Sequence, residues 1–69
     1  MEVIVYNIRR ILEEKGIKQK KLAQKANITE NTLSAMLNGR RTIHHSELIN
    51  ICLALDVTPN DIYGFSKTA

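Results

Sequence analysis

Apolar residues recur along the chain with the spacing of an α-helix, and the first stripe consists of Ile4, Ile8, Ile11 and Leu12. Steps of three and four residues place these side chains on one face of a helix, which we predict over about residues 3–15. Gly16 is expected to end this helix, because a residue without a Cβ enters the left-handed backbone region at low cost. The β-branched run at residues 3–5 would also suit a strand, which is the alternative for the first turn.

Two shorter helices follow, over about residues 19–26 and 30–37, with a tight turn between them. Their inward positions are Leu22, Ala23 and Ala26 in the former and Leu33, Met36 and Leu37 in the latter. Asn27 suits a turn residue with positive φ, and Thr29 can cap the next helix by accepting a backbone N–H. Ala23 leaves room for the two helices to cross closely. This arrangement predicts a helix-turn-helix, with a generic small helical bundle as the alternative.

The clearest stripe lies further along the chain and consists of Leu48, Ile51, Cys52 and Leu55. It predicts a helix over about residues 45–55, with His44 in the capping position and Ser46 able to share that task. The Thr58-Pro59 dipeptide then marks a short last helix over about residues 59–63, because threonine caps a helix and proline suits its first position.

The length and composition describe one small globular domain. The chain has 69 residues, 43% of them hydrophobic and 25% charged. This is enough for one core but not for a deep cleft between two domains, which excludes most enzymes. With no strand pattern, repeat or linker, we predict an all-α fold, a compact five-helix bundle that forms a single domain over residues 1–69.

Several absences favour a cytoplasmic protein. Cys52 is the single cysteine and cannot form an internal disulfide. No apolar run approaches the roughly 18 residues of a membrane span, and the start of the chain lacks the basic region of a signal peptide. We therefore expect the protein to act in the cytoplasm.

Positive charge is concentrated in the first part of the chain. The formal net charge is +3, but residues 1–41 carry nine Lys or Arg and four acids, a charge of +5. Residues 42–69 carry one Lys and three acids, a charge of −2. This asymmetry indicates a face that meets a polyanion, of which nucleic acid is the usual one. The alternative is that the lysines only solvate helix faces.

The predicted helix-turn-helix also carries a family resemblance. Residues 19–34 read QKKLAQKANITENTLS and are followed by Asn38-Gly39-Arg40-Arg41. Gln19, the Leu22-Ala23 pair, this loop and Ala54-Leu55 occur at the spacing of the Cro/C1-type helix-turn-helix family, which the chain resembles over about residues 4–64. The resemblance implies a lambda-repressor-like domain of five helices that binds double-stranded DNA by sequence, as in phage and bacterial repressors.

The sequence departs from the family pattern at several places. Lys18 stands where Ser or Thr usually caps the second helix. Asn27 and Asp56 replace glycines but tolerate the left-handed conformation. Many members pair an Arg of the first helix with a Glu before the Asn-Gly loop. Leu12 and Leu37 occupy those positions here, so we predict an apolar contact that can match the ion pair in stability.

The resemblance places the third helix in the major groove. The base-contacting residues that it implies are Glu30, Asn31, Ser34 and Ala35. Asn31 can pair with adenine N6 and N7, Glu30 can accept from cytosine N4, and Ala35 can touch a thymine methyl group. The alternative for Glu30 is that it serves only the helix dipole. The expected phosphate contacts are Lys18, Gln19, Lys20, Asn38, Arg40 and Arg41, because helix N-termini and cationic side chains bind phosphate.

The leading hypothesis is a transcriptional regulator, a repressor, that acts as a homodimer on a pseudo-palindromic operator. Val5, Tyr63 and Phe65 are apolar residues beyond the core stripes and form the predicted dimer surface. The alternative is a protein-interaction regulator of the same fold, an antitoxin or a module that sequesters a partner. We expect no cofactor, no small-molecule ligand and no membrane partner.

Catalytic and metal chemistry have no good candidates. The sequence shows no Ser/His/Asp arrangement, paired-carboxylate cleft or glycine-rich phosphate loop. His44 and His45 face different ways at a helix start and lack a third ligand, so a cap or a phosphate contact is favoured over a metal site. Cys52 is interpreted as a small core residue rather than a nucleophile.

Overall fold

The computed structural model describes residues 2–64 of the chain. In this range the helices are α1 (Glu2–Lys15), α2 (Gln19–Lys25), α3 (Glu30–Leu37), α4 (His45–Leu55) and α5 (Pro59–Tyr63). The predicted all-α fold of five helices is confirmed. The first turn of α1 is helical rather than extended, and α1 begins one residue earlier than predicted. α2 ends one residue earlier, because Ala26 has a ψ of 0° and already starts the turn.

The predicted apolar stripes meet in one core. Its buried members are Ile8, Ile11, Leu12, Leu22, Ala23, Ala26, Leu33, Met36, Leu37, Leu48, Ile51, Cys52, Leu55 and Ile62. α1 packs against α3 and α5, α2 against α3 and α4, and α4 against α5. Isolated helices as short as α2 and α3 are unstable in water. Their positions therefore depend on the burial of their inner faces in this core.

A left-handed residue follows each of the five described helices, and three of these residues were predicted to tolerate that conformation. The φ angle is +67° at Gly16, +60° at Asn27 and +59° at Asp56. After Gly16 the backbone N–H of Ile17 donates to the carbonyl of Leu12 at 2.9 Å, and the Ile17 side chain packs against the core. This arrangement satisfies a carbonyl at the helix end and turns the chain sharply toward α2.

A buried asparagine ties the first helix to the last. Asn7 is 8% exposed, and its Nδ2 donates to the carbonyl of Ile62 at 2.9 Å. Removing this donor would leave a buried carbonyl unsatisfied, which costs about 1–3 kcal/mol. Asn7 precedes Ile8 of the apolar stripe and resembles an ordinary surface residue in the sequence, so this contact was not predicted.

Candidate nucleic-acid interface

The segment from α2 to α3 forms a helix-turn-helix. The backbone N–H of Ile28 donates to the carbonyl of Ala23 at 2.9 Å, which returns the turn onto α2. The Thr29 hydroxyl oxygen accepts from the backbone N–H of Thr32 at 3.1 Å, so Thr29 caps α3 as predicted. Ala23 is 2% exposed and lies in the core shared by α2 and α3. A larger side chain at that position would separate the two helices.

The four residues expected to read bases lie on the outer side of α3. Glu30 and Asn31 are exposed, whereas Ser34 and Ala35 are half-buried. The opposite side of the helix is held in the core by Leu33, Met36 and Leu37. Within residues 2–64, no hydrogen bond or ion pair engages the side chain of Glu30 or Asn31. The first turn of α3 therefore presents unoccupied polar groups to a ligand.

Most of the expected phosphate ligands lie at the two ends of the helix-turn-helix. Lys18, Gln19 and Lys20 are exposed at the start of α2, and Lys18 makes no side-chain capping bond. Arg40 is exposed in the loop after α3, and its side chain has no partner among the described residues. An open groove beside α2 is lined by further cations, with Lys21 and Lys25 next to Lys18 and Lys20.

Arg41 differs from its neighbour because its guanidinium is already engaged. Its Nη1 and Nη2 donate to the two carboxylate oxygens of Glu47 at 2.9 and 3.0 Å. Glu47 also accepts from the backbone N–H of His44 at 2.9 Å. It therefore caps α4 and, through Arg41, also holds the loop before this helix. The paired arginines that look equivalent in the sequence thus have different surroundings. Arg41 anchors the loop, and Arg40 is the one of the pair that is unengaged.

The carboxylate of Glu47 has a lowered pKa. The hydrogen bond from Arg41 is the largest cause, followed by the bond from the His44 backbone N–H. Both partners stabilise the charged form of the carboxylate. A depressed pKa in the folded state means that this stabilisation is present above the ordinary value of 4.5 and is lost as pH falls through the lowered pKa.

Replacing Glu47 with Gln is expected to lower the melting temperature at pH 7 by a few degrees, because the charged partner of Arg41 is removed. The difference from wild type should shrink as pH falls below 4.5 and through the lowered pKa of Glu47, because the wild-type carboxylate then also becomes neutral. Thermal unfolding followed by circular dichroism from pH 7 to pH 3 measures this. Glu13→Gln is the control, since Glu13 is exposed on α1 and has no ion pair in the described range. A Glu47→Gln deficit of constant size across this range would contradict the role assigned to the ion pair.

Arg9 lies at the candidate site but was predicted only to contribute to the positive charge of the first part of the chain. Its Nη2 donates to the carbonyl of Leu37 at 2.9 Å and to Oδ1 of Asn38 at 3.2 Å. Cations stabilise the carbonyl end of a helix, so Arg9 holds the C-terminal end of α3 against α1. Leu12 and Leu37 are both buried in the core, and a direct contact between them stays a prediction.

The cysteine and the two histidines, which were considered for catalysis or metal binding, lie at structural positions. Cys52 is 4% exposed, and burial raises the pKa of its thiol, in keeping with a core residue. His44 precedes the first residue of α4, and His45 begins that helix. In the part of the chain that the structure describes, no group of three His, Cys, Asp or Glu side chains could hold a metal ion. Nor does any helix there have the length and apolar character to cross a membrane.

The predicted dimer residues have unequal exposure. Val5 is half-buried and packs against the core, Tyr63 is 39% exposed, and Phe65 lies outside the described residues. Val3 and Tyr6 were not predicted to form this surface, but they are 57% and 65% exposed on α1. These two residues therefore offer more accessible apolar surface than Val5.

A helix-turn-helix whose second helix exposes polar residues in its first turn, with cations at both ends of the motif, is typical of a DNA-binding domain. The family model of the Cro/C1-type HTH DNA-binding domain matches residues 7–68. The chain therefore belongs to this family, whose members are DNA-binding transcription regulators and not enzymes. Comparisons with curated proteins and with solved structures gave no match.

Proposed function

We propose that the protein is a sequence-specific repressor that inserts α3 into the major groove of double-stranded DNA. The observation that carries this proposal is the exposed first turn of α3, where Glu30 and Asn31 have no partner within residues 2–64. The major groove is about 12 Å wide and admits one α-helix. The two side chains supply an amide and a carboxylate, which can discriminate between base edges.

Each outer residue of α3 has a stated role in this proposal. Asn31 donates to adenine N7 and accepts from adenine N6, and Glu30 accepts from cytosine N4. Ala35 is half-buried and presents a methyl group to a thymine methyl. The fourth residue, Ser34, accepts a hydrogen bond from Asn38, which restricts what its hydroxyl can read.

Cations at both ends of the helix-turn-helix support this placement of α3. Lys18, Gln19 and Lys20 would contact phosphates at the start of α2, and Arg40 would do so after α3, with all four side chains exposed. Contacts to the phosphate backbone fix the register of a protein on the duplex without reading its sequence. Asn38 can add a phosphate contact through its second amide hydrogen, because the bond to Ser34 uses only one of the two.

A homodimer on a pseudo-palindromic operator is the second part of the proposal. The exposed apolar residues Val3, Tyr6 and Tyr63 support it, since α1 and α5 pack together. A two-fold dimer places equal recognition helices in half-sites about 34 Å apart. Binding there would exclude other proteins from the same DNA, which is the basis for proposing repression, in the cytoplasm of a bacterial cell.

A protein-interaction module of the same fold is the competing function. The exposed Ile49 and Leu53, four residues apart on α4, favour it, because apolar surface on a helix suits a protein partner. Such a role does not require the cations of α2 or the following loop. Retention on nonspecific DNA at low salt, with a steep loss as salt rises, favours the DNA-binding function.

The experiment that tests the proposal is selection of bound duplexes from a random-sequence pool, using the whole chain. A recovered motif of two inverted half-sites supports both sequence reading and the dimer. A single, unrepeated half-site contradicts the dimer alone. Recovery of no enriched sequence contradicts the proposed function.

Replacing Arg40 with Ala is expected to weaken binding about tenfold at moderate salt, equally for operator and unrelated duplexes. The reason is that a phosphate contact carries no sequence information. The slope of log affinity against log salt should fall in magnitude by about one unit for each protomer on the duplex. Fluorescence anisotropy at several salt concentrations measures both quantities.

The control is Arg10→Ala, which removes the same charge from a residue paired with Glu14 at 2.9 Å on α1. An unchanged salt slope for Arg40→Ala, or an equal change for Arg10→Ala, would show that the loop does not contact phosphate.

A further inference from the structure

Three polar side chains from α1, α3 and the loop after α3 form one hydrogen-bonded network. Nη2 of Arg9 donates to Oδ1 of Asn38 at 3.2 Å, and Nδ2 of Asn38 donates to Oγ of Ser34 at 3.3 Å. Arg9 is anchored at the same time by its 2.9 Å bond to the carbonyl of Leu37. This Arg9–Asn38–Ser34 network ends on one of the four residues expected to read bases.

The chemistry of arginine determines which way the asparagine amide faces. A guanidinium group has donors and no acceptor, so the Asn38 atom that it contacts must be the carbonyl oxygen. The amide nitrogen of Asn38 is then the atom that faces Ser34. Without Arg9 the amide could turn over at little cost and present either its oxygen or its nitrogen to the serine.

The orientation of Asn38 in turn restricts the hydroxyl of Ser34. The bond from Asn38 Nδ2 occupies a lone pair on Oγ, so the hydroxyl hydrogen must point elsewhere. Among residues 2–64, no acceptor takes that hydrogen. Ser34 lies one turn after Glu30 and three residues after Asn31, and it is half-buried. The hydrogen is therefore available to a ligand that approaches the exposed part of this side chain.

We propose that Arg9 and Asn38 are specificity-determining positioning residues, which keep the hydroxyl hydrogen of Ser34 free to donate to an acceptor on the DNA base edge. This inference rests on the proposed function, in which α3 reads the major groove. A serine whose hydroxyl hydrogen is bound within the protein can only accept from DNA. With its hydrogen free, Ser34 can donate to the acceptor atoms of the groove: guanine O6 and N7, adenine N7 or thymine O4. The major-groove edge of cytosine offers a donor at N4, which only the remaining lone pair of Ser34 can meet.

The test reverses the polarity of the network with Asn38→Asp. A carboxylate only accepts, so Arg9 keeps its partner, while the Ser34 hydroxyl turns to donate to the new oxygen. The lone pairs of Ser34 then face the DNA. Selection from a random pool should show the preference at one base pair per half-site shifting toward cytosine, by about fivefold, with other positions unchanged.

Asn27→Asp is the matched control for the added negative charge. Asn27 is exposed with φ of +60°, a conformation that Asp also adopts, and it makes no side-chain bond to α3. It should weaken binding without altering preference at any base pair. Circular dichroism shows whether each variant is folded.

The single variant Ser34→Ala and the double variant that combines it with Asn38→Asp complete a double-mutant cycle. Ser34→Ala should relax preference at the same base pair, and Asn38→Asp should then change nothing further there. The inference is overturned if Asn38→Asp leaves the base preference unchanged, or if Ser34→Ala relaxes the preference at no base pair. It is also overturned if Asn38→Asp still shifts the preference in the double variant that lacks Ser34. In all three cases a wild-type protein that selects a motif leaves the proposed function standing. A wild-type protein that selects none overturns both.

Discussion

Replacing Asn31 with Glu is expected to lower the affinity for operator DNA at least about 100-fold. The change removes an amide that can pair with adenine and places a second carboxylate beside Glu30, in the turn of α3 proposed to enter the groove. A bidentate base contact is worth about 1–3 kcal/mol, and repulsion from the phosphates adds to its loss. Electrophoretic mobility shift or anisotropy titration measures the affinity.

Asn50→Glu is the matched control for this change. Asn50 is also an exposed helical asparagine, but it lies on α4, away from the proposed groove-facing surface. Its substitution should change affinity less than about threefold. Neither variant should unfold the domain, and at position 31 an acid near the start of a helix is favourable. Equal losses for the two variants would mean that α3 has no special relation to DNA.

Replacing Leu33 with Ala is expected to produce the largest loss of stability. Leu33 is 0% exposed and lies on the inner side of α3. Truncation of a buried leucine costs about 2–5 kcal/mol, from lost burial and from the cavity that remains. A domain of this size has a total stability of only about 3–10 kcal/mol. We therefore expect the melting temperature to fall by at least about 10 °C.

Leu53→Ala makes the same chemical change on the surface and is the control. Leu53 is 75% exposed on α4, so its loss should alter the free energy of unfolding by less than about 0.5 kcal/mol. Urea unfolding at pH 7 measures both variants. Similar losses at positions 33 and 53 would contradict the burial of the inner side of α3 as the source of its stability.

The helices and their ends were predictable because the signals that specify them are local. The buried residues of α4 follow one helical period, and Thr29 caps the helix that begins with the next residue. Asn27 and Asp56 both adopt positive φ, as expected from the tolerance of these side chains for that conformation. Such signals act within a few residues, so they can be interpreted from the sequence without knowledge of the fold.

The contacts of the candidate site were harder to predict, because they join residues that are distant in the chain. Arg9 and Asn38 are separated by 29 residues, and Asn7 and Ile62 by 55. Periodicity says that Arg9 lies off the apolar stripe but not which carbonyl its guanidinium will meet. The bond between Arg41 and Glu47 spans six residues across a loop, whose path no helical period describes.

Local patterns in the residues were thus enough to specify five helices, a turn between two of them and a cationic first part of the chain. The tertiary structure then determined which of those cations are engaged. The packing of α1 against α3 brings Arg9 to the end of α3, and the path of the loop brings Arg41 to Glu47 at the start of α4. The physical reason is the distance along the chain over which each kind of interaction acts. Helix formation depends on neighbours three and four residues away, whereas hydrogen bonds require atoms about 3 Å apart, a condition that the folded backbone alone creates.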